Sequence, residues 1–195
     1  MPKLKVDTTE WRWTLEHSIS CAAAVIAACA LILSVNESCA ARKHARKAVQ
    51  PYFEYVYFYN ESGAGWRLMN SGLGPARLRA FRIQVDGRDV DDFNMLWAAL
   101  HLPGPPAFRF TNPRVGDRFA PGHENFLFWV EPGPAAAALQ VGWTHVNLEA
   151  CYCSLFDECW LVSTQGNYVG PEGQHKRDDK CSPFENGQKS RWWQG

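Results

Sequence analysis

The sequence predicts a mainly β protein in which one N-terminal transmembrane helix precedes an antiparallel β-sandwich, or a small β-barrel, with one short helix. Residues 18–36 form an uninterrupted run without a charged side chain, which is long enough for a membrane span. After Pro51 the chain changes to short β-prone runs separated by turns rich in Gly and Pro. We therefore divide the chain into an N-terminal tail (1–17), a transmembrane helix (18–36), a basic juxtamembrane linker (37–50), a β-sandwich domain (51–165) and a polar C-terminal tail (166–195).

The charge of the chain is balanced in total but not along its length. Twenty Lys and Arg offset twenty Asp and Glu over 195 residues, which excludes a globally basic nucleic-acid binder and an acidic disordered tail. Residues 1–50 hold seven basic and four acidic side chains, a net charge of +3, and residues 51–195 hold thirteen and sixteen, a net charge of −3. Nine Trp and 13% aromatic residues predict a packed core.

The uncharged run of residues 18–36 is predicted to be a retained membrane anchor. As a helix its 19 residues span about 28 Å, close to the hydrocarbon thickness of a bilayer. A buried soluble helix and a cleaved signal peptide are the alternatives, but a signal peptide would have an atypical preceding region of 17 residues with three acids. The mean hydropathy of −0.31 excludes a multi-span membrane protein.

The residues that flank the anchor predict its orientation. Residues 41–47, shortly after the helix, contain four basic residues and no acid, and we expect the basic residues to contact anionic lipid headgroups: Arg42, Lys43, Arg46 and Lys47. Basic residues prefer the cytoplasmic side. The sequence thus predicts a single-pass protein of the inner membrane, with its large domain in the cytoplasm rather than in the periplasm.

Small residues recur along the anchor at helical spacing. They are Ser20, Ala24 and Ala28, with Ala27 beside them. Small side chains at this spacing let two helices approach closely in lipid, which predicts a homo-oligomer that associates through this face. The plainer interpretation is an anchor that is simply rich in Ala.

Seven runs after the anchor have the composition of strands. Turn signals separate them, including the turn of residues 71–76 and Asp86-Gly87, a strong hairpin signal. Residues 91–102 predict the short helix, because Phe93, Leu96 and Trp97 recur at helical spacing. Residues 132–137 are predicted to form a loop. The predicted strands are residues 52–59, 66–70, 78–85, 126–131, 139–143, 146–153 and 160–163.

Three segments together resemble a known group of proteins. They are the basic, His-containing linker that leads into VQPYF (49–53), the run LMNSGLGPARLRAFRIQVDG (68–87) and YCSLFDECW (152–160). About half of the chain in this way resembles uncharacterised bacterial single-pass membrane proteins. The N-x-G-x-GPA turn alone also resembles adhesion-type immunoglobulin-like modules. The resemblance implies an immunoglobulin-like β-domain behind an anchor and brings no catalytic residues.

The four cysteines after the anchor leave three alternatives open. Cys153 and Cys159 flank a predicted hairpin tip and can face each other as a disulfide or as reduced thiols. A zinc site that combines them with His145, Cys151 or Cys181 is the third alternative. Because C-x-C and C-x₅-C are not the usual spacing of zinc knuckles, we assign no metal.

Arginines on the third predicted strand are the candidate ligand-binding residues. Arg77 and Arg79 share one face of a regular strand, and Arg82 lies on the other. With Arg109, Arg114 and Arg118 they are candidates for a basic, aromatic-flanked surface that binds a nucleotide or single-stranded nucleic acid. The net charge of −3 argues against a large nucleic-acid footprint, and a solvated face is the plain alternative.

The sequence contains no G-x-S-x-G, H-E-x-x-H or P-loop pattern. We therefore predict no catalytic residue and no cofactor, and expect a membrane-anchored, non-enzymatic sensor or binding module with a protein partner or a small ligand. The alternative from another class is an oligomeric pore-forming membrane effector, for example in anti-phage defence. Its β-domain would be gated by a nucleotide or nucleic-acid signal.

Overall fold

The computed structural model describes residues 8–166 and 175–184, with side chains from residue 18 onward, and the chain divides into two compact units at Lys47/Ala48. The first unit is dominated by one helix, α1 (Thr8–Ala48). Within its segment Ser18–Ala48, a window of 18 residues has a mean hydropathy of 2.4 and buries nothing within the structure. This helix has the length and composition of a membrane span, properties that it shares with a signal sequence.

Helix α1 continues through residues 37–48 of the predicted linker. Arg46 and Lys47 lie in its last turn, where cations interact favourably with the helix dipole. The side chains predicted to line an association face, Ser20, Ala24, Ala27 and Ala28, are all exposed on this helix, and so are Arg42 and Lys43.

The second unit contains two antiparallel sheets, so the predicted mainly β class is confirmed. The first sheet has the order β1-β2-β7-β5 and the second has the order β10-β9-β8-β3-β4, with β6 paired to the start of β3. The strands are β1 (Phe53–Asn60), β2 (Gly63–Asn70), β3 (Ala76–Val85), β4 (Arg88–Val90), β5 (Phe108–Phe110), β6 (Arg118–Phe119), β7 (Glu124–Val130), β8 (Val146–Cys153), β9 (Cys159–Ser163) and β10 (Lys176–Arg177).

One buried cluster takes apolar side chains from both sheets. Alternate residues of β2 enter it (Ala64, Trp66 and Leu68), as the two-residue period of a strand requires. The largest fully buried members include Trp66 and Phe128 of the first sheet and Phe81 and Tyr152 of the second. Burial of each such side chain stabilises the fold by about 1.5–3 kcal/mol.

The N-x-G-x-GPA turn is built around Asn70, which is fully buried. Its side-chain oxygen accepts the N–H of Tyr52 at 3.1 Å, and its amide donates to Gly74 O at 2.8 Å and Phe119 O at 3.0 Å. A Cβ on Gly74 would lie 1.7 Å from Val49 O, so only glycine fits there. The motif thus joins three chain segments and fixes the start of β3 beside β6.

Two short helices interrupt the strands. The predicted helix of residues 91–102 is confirmed as α2 (Phe93–Ala99), capped by Asp92, whose side chain accepts the Met95 N–H at 2.7 Å. The loop and strand predicted for residues 132–137 and 139–143 are wrong, because α3 (Pro134–Gly142) lies there and a 3₁₀ turn follows it. Proline in the first turn followed by four alanines favours a helix locally.

Only part of the predicted C-terminal tail is described. Residues 167–174 and 185–195 lie outside the described residues. Within 175–184, β10 pairs with β9, and a 3₁₀ turn (Ser182–Phe184) follows Cys181. Cys181 and Phe184 pack in a small second cluster with Cys151, Cys153 and Leu161, whose side chains lie on the face of the second sheet opposite the main core. We call residues 175–184 the covering segment.

Candidate functional site: an arginine-lined pocket beside two disulfides

A β-bulge decides which arginines of β3 share a face. The pairing of β3 with β8 shifts register between Leu78 and Ala80. The alternation of buried and outward-facing residues along β3 moves by one position there. Arg77 and Arg82 consequently lie on the same outer face, and Arg79 is exposed in the bulge. The prediction that Arg77 and Arg79 share a face opposite Arg82 assumed a regular strand and is wrong for this reason.

Arg82 is held in a buried ion pair. It lies directly across from Glu149 of β8, donates from Nε to Glu149 Oε2 at 2.6 Å, and retains only 12% of its side-chain exposure, against 3% for Glu149. Asn147 donates to the other carboxylate oxygen at 2.9 Å, and the ring of Phe184 lies 5.1 Å from the Arg82 guanidinium. These contacts leave Arg82 little surface for an external ligand.

Arg77, at the other end of β3, lies directly across from Arg118 of β6. Like charges placed opposite each other on paired strands repel. Arg77 forms a close ion pair with Asp157, while Arg118 has no carboxylate within ion-pairing distance among the described residues. The Nε of Arg77 is buried and has no hydrogen-bond partner in the described part of the chain. Among the described residues, only Arg77 of these two facing cations is therefore ion-paired, through Asp157.

A cavity of about 220 Å³ opens between these two arginines. Its polar walls are Arg77, Arg118, Ser154 and Asp157, and its apolar walls include Pro75 and Leu155. Ser154 is buried, and its Oγ accepts the Phe156 N–H at 3.1 Å; within the described part of the chain its hydroxyl proton has no acceptor. The volume suits a small anionic group rather than a whole drug-sized ligand.

Two disulfides hold the elements around this cavity. Cys153, itself part of the cavity wall, is bonded to Cys159 across the β8–β9 hairpin, so the tip that carries Ser154 and Asp157 is closed at its base. Cys151 is bonded to Cys181 and ties the covering segment to the sheet. The sulfurs of Cys153, Cys159 and Cys181 lie within 4.8 Å of one another. His145, named as an alternative zinc ligand, instead has its Nδ1 2.6 Å from Asp86 Oδ1.

A histidine packs where the covering segment begins. His175 stacks on Tyr52 with 4.2 Å between ring centroids, and its Nδ1 lies 2.7 Å from the Tyr152 hydroxyl. Burial lowers the pKa of His175 from 6.5 to about 4, because the charged imidazolium is poorly solvated there. Burial also raises the pKa of Tyr152 well above its usual value. Both side chains are therefore neutral near pH 7.

The remaining arginines do not form one basic surface with Arg77. Arg109 belongs to the first sheet, where it pairs with Glu131 at 2.9 Å and lies 4.9 Å from the Trp129 ring. The backbone N–H of Arg114 donates to Asp117 in the loop before β6. Of the six arginines named from the sequence, Arg77 and Arg118 are the pair that lines the cavity.

Sequence reasoning missed two residues of this site. Ser154 and Asp157 lie in the predicted hairpin tip between Cys153 and Cys159 and are not among the predicted site residues, yet both line the cavity. The sequence does contain a signal for their position. Because neighbouring strands are antiparallel, the hairpin tip that follows β8 lies at the same end of the sheet as the start of β3, which carries Arg77.

The comparisons with known proteins assign no function, so the function is inferred below from the geometry of the arginine-lined pocket. No protein family matches the chain, and no curated protein or solved structure matches it either.

Proposed function

We propose that the protein is a membrane-anchored, non-enzymatic binding module whose β unit, an immunoglobulin-like β-sandwich, binds an anionic group. The observation that carries the proposal is the Arg77–Arg118 pair on the wall of a cavity to which the described part of the chain contributes a single carboxylate. Strand pairing fixes the two arginines in position, so the repulsion between them is already present before a ligand binds. An anion between them relieves it and gains charge-assisted hydrogen bonds.

Binding is testable through stability, because a ligand that binds only the folded state raises its melting temperature. The full-length protein in mild detergent is heated in sodium acetate or sodium phosphate and, at equal ionic strength, in sodium chloride. We expect acetate or phosphate to raise the Tm by about 2–4 °C. Arg118→Gln should abolish the rise, and Arg79→Gln, on the exposed bulge, should retain it. An equal Tm in all salts for the wild type contradicts the proposal.

We further propose that the β unit lies on the oxidising side of the membrane. All four of its cysteines are engaged in two disulfides, and such bonds persist outside the cytoplasm. The flanking charges predicted the opposite orientation, but that bias amounts to four basic residues after the helix against three before it. A pair of disulfides in a small domain outweighs one extra basic residue.

Fusions at the C-terminus test this orientation. With alkaline phosphatase after Gly195 we expect high phosphatase activity in intact cells, and with a fluorescent protein in the same place we expect no fluorescence. The reverse pair of results restores the cytoplasmic orientation that the flanking charges predict. A protein gel with and without reductant then reports whether the four cysteines of the β unit are bonded.

We also propose that the anchor self-associates through Ser20, Ala24, Ala27 and Ala28. In a membrane, small side chains at four-residue spacing allow close helix contact. Ala24→Ile and Ala28→Ile should then weaken crosslinked oligomers, and Ala22→Ile, on the opposite face, serves as the matched control. Oligomers of unchanged abundance in all three variants contradict this contact.

A further inference from the structure

We propose that the ligand of the arginine-lined pocket is a monocarboxylate with a short apolar tail, and that Asp157 occupies the place of the ligand's carboxylate in the unliganded protein. This inference rests on the proposed anion-binding function and names its ligand class. The cavity is lined by Arg77, Arg118 and Asp157, and a carboxylate is already bound to one of the two arginines.

The charge of the pocket selects a monoanion. Among the described residues, two guanidinium groups and one carboxylate line it, which gives a local charge of +1. A carboxylate neutralises that charge, whereas inorganic phosphate carries about −1.5 to −2 near pH 7 and would lie beside the remaining negative charge of Asp157. A planar carboxylate also matches the fork of a guanidinium.

Asp157 is poised to be displaced. Its side chain is 76% exposed, and its backbone has φ 57°, a left-handed conformation at the tip of a hairpin that the Cys153–Cys159 disulfide closes. Exposed ion pairs contribute little to stability, so releasing Asp157 from Arg77 costs little. A ligand carboxylate would then contact Arg77 and Arg118 together, and the hydroxyl proton of Ser154 is available to it.

The apolar walls set the size of the ligand. Pro75 and Leu155 line the same cavity, and Leu155 is exposed at its rim. A cavity of about 220 Å³ holds a carboxylate and a few carbon atoms. A free short-chain acid and the C-terminal residue of a peptide both present this chemistry, and separate probes distinguish them.

The test is a titration of the ¹⁵N-labelled full-length protein in detergent micelles, followed by the Nε–H signals of its arginine side chains. The probes are butyrate, N-acetyl-alanine, inorganic phosphate and, as the neutral control, butyramide. We expect butyrate or N-acetyl-alanine to shift the Arg77 and Arg118 signals with a Kd on the order of 1 mM. Phosphate should bind more weakly, and butyramide should cause no shift. A response to butyrate alone identifies a free acid, and a stronger response to N-acetyl-alanine identifies a chain terminus.

Asp157→Asn is the decisive variant. Asparagine tolerates the left-handed conformation, so the hairpin should keep its shape, which an unchanged circular dichroism spectrum and Tm would verify. Loss of the internal competitor should raise the affinity for the carboxylate probe by about 2- to 5-fold. Arg118→Gln should lower it by about 10-fold or more, Arg118→Lys should fail to restore it fully, and Arg79→Gln should leave it unchanged.

The outcomes separate this inference from the proposed function. If Asp157→Asn does not bind the carboxylate more tightly, or if phosphate binds at least as tightly as the carboxylates while Arg118 is still required, the carboxylate inference fails and anion binding stands. If no probe shifts the Arg77 and Arg118 signals in the wild type or in Asp157→Asn, both proposals fail.

Discussion

The two ends of β3 carry arginines on the same face of the same sheet, but these arginines differ in burial and in the charge of the residue across from them. At the end of the strand near Arg82, the guanidinium faces a carboxylate, Glu149, and the covering segment buries the pair. At the end near Arg77, the residue on the neighbouring strand is another arginine, Arg118, and the acidic partner of Arg77, Asp157, lies on an exposed hairpin tip. The same residue type is thus a structural group at one end and a candidate ligand contact at the other. Burial and the residue on the neighbouring strand decide which.

The largest expected effect comes from breaking the buried pair. Glu149→Gln leaves the Arg82 charge buried without its countercharge, and we expect the free energy of unfolding to fall by about 3–5 kcal/mol. Urea unfolding of the full-length protein, followed by tryptophan fluorescence, measures it. Glu131→Gln, which breaks the exposed pair with Arg109, is the matched control and should cost less than about 1 kcal/mol. Equal losses of unfolding free energy in the two variants would contradict the predicted difference between the buried and the exposed ion pair.

The disulfides come next, because one of them holds the covering segment over Arg82. The Cys151–Cys181 bond closes a separation of 30 residues, and the Cys153–Cys159 bond closes one of 6. By loop entropy, replacing both members of the first pair by Ala should cost about 3.6 kcal/mol, and the same change in the second pair about 2.2 kcal/mol. The same urea experiment ranks the two double variants. A larger loss for the hairpin pair would mean that the covering segment contributes little at the Arg82 end.

The smallest effect is a pH dependence at the start of the covering segment. The pKa of His175 is about 4 in the folded protein and 6.5 when it is unfolded, so between these values the unfolded state binds a proton that the folded state does not. Stability is then fully present above about pH 6.5 and falls as the pH drops toward 4. Because His175 is partly exposed, we expect a loss of about 1–2 kcal/mol.

His175→Phe isolates this contribution, since the ring can still stack on Tyr52 but cannot titrate. Its Tm should fall less steeply than that of the wild type between pH 6.5 and pH 4. Parallel Tm curves for the two proteins over this interval would show that the imidazole does not carry the effect.

The sequence predicted those parts of the fold that local patterns decide. The spacing of Phe93, Leu96 and Trp97 located α2, and Asp86-Gly87 marked a hairpin whose two residues have φ of 48° and 76°. Helix α3 was not predicted, because its run of alanines shows no amphipathic period. The bulge at Arg79 was not predicted either, because it depends on the pairing of β3 with β8.

The candidate site was predictable in its residue types but not in its pairing. Arg77 and Arg118 were both named from the sequence, but only the β3–β6 register places them opposite each other. Arg82 was named for the same role, and nothing near it in sequence indicates that Glu149, on another strand, neutralises it. The Cys151–Cys181 bond likewise depends on the pairing of β10 with β9, which no local sequence pattern indicates.

The most direct test of the division of β3 compares Arg82→Gln with Arg77→Gln in one urea-unfolding experiment on the full-length protein. Arg82→Gln leaves the buried Glu149 carboxylate without a countercharge, and we expect a loss of about 3 kcal/mol or more. Arg77→Gln removes an exposed ion pair and a like-charge repulsion together, and should change the free energy of unfolding by less than about 1 kcal/mol. Equal losses in the two variants, or a larger loss for Arg77→Gln, would contradict the division into a structural end and a binding end.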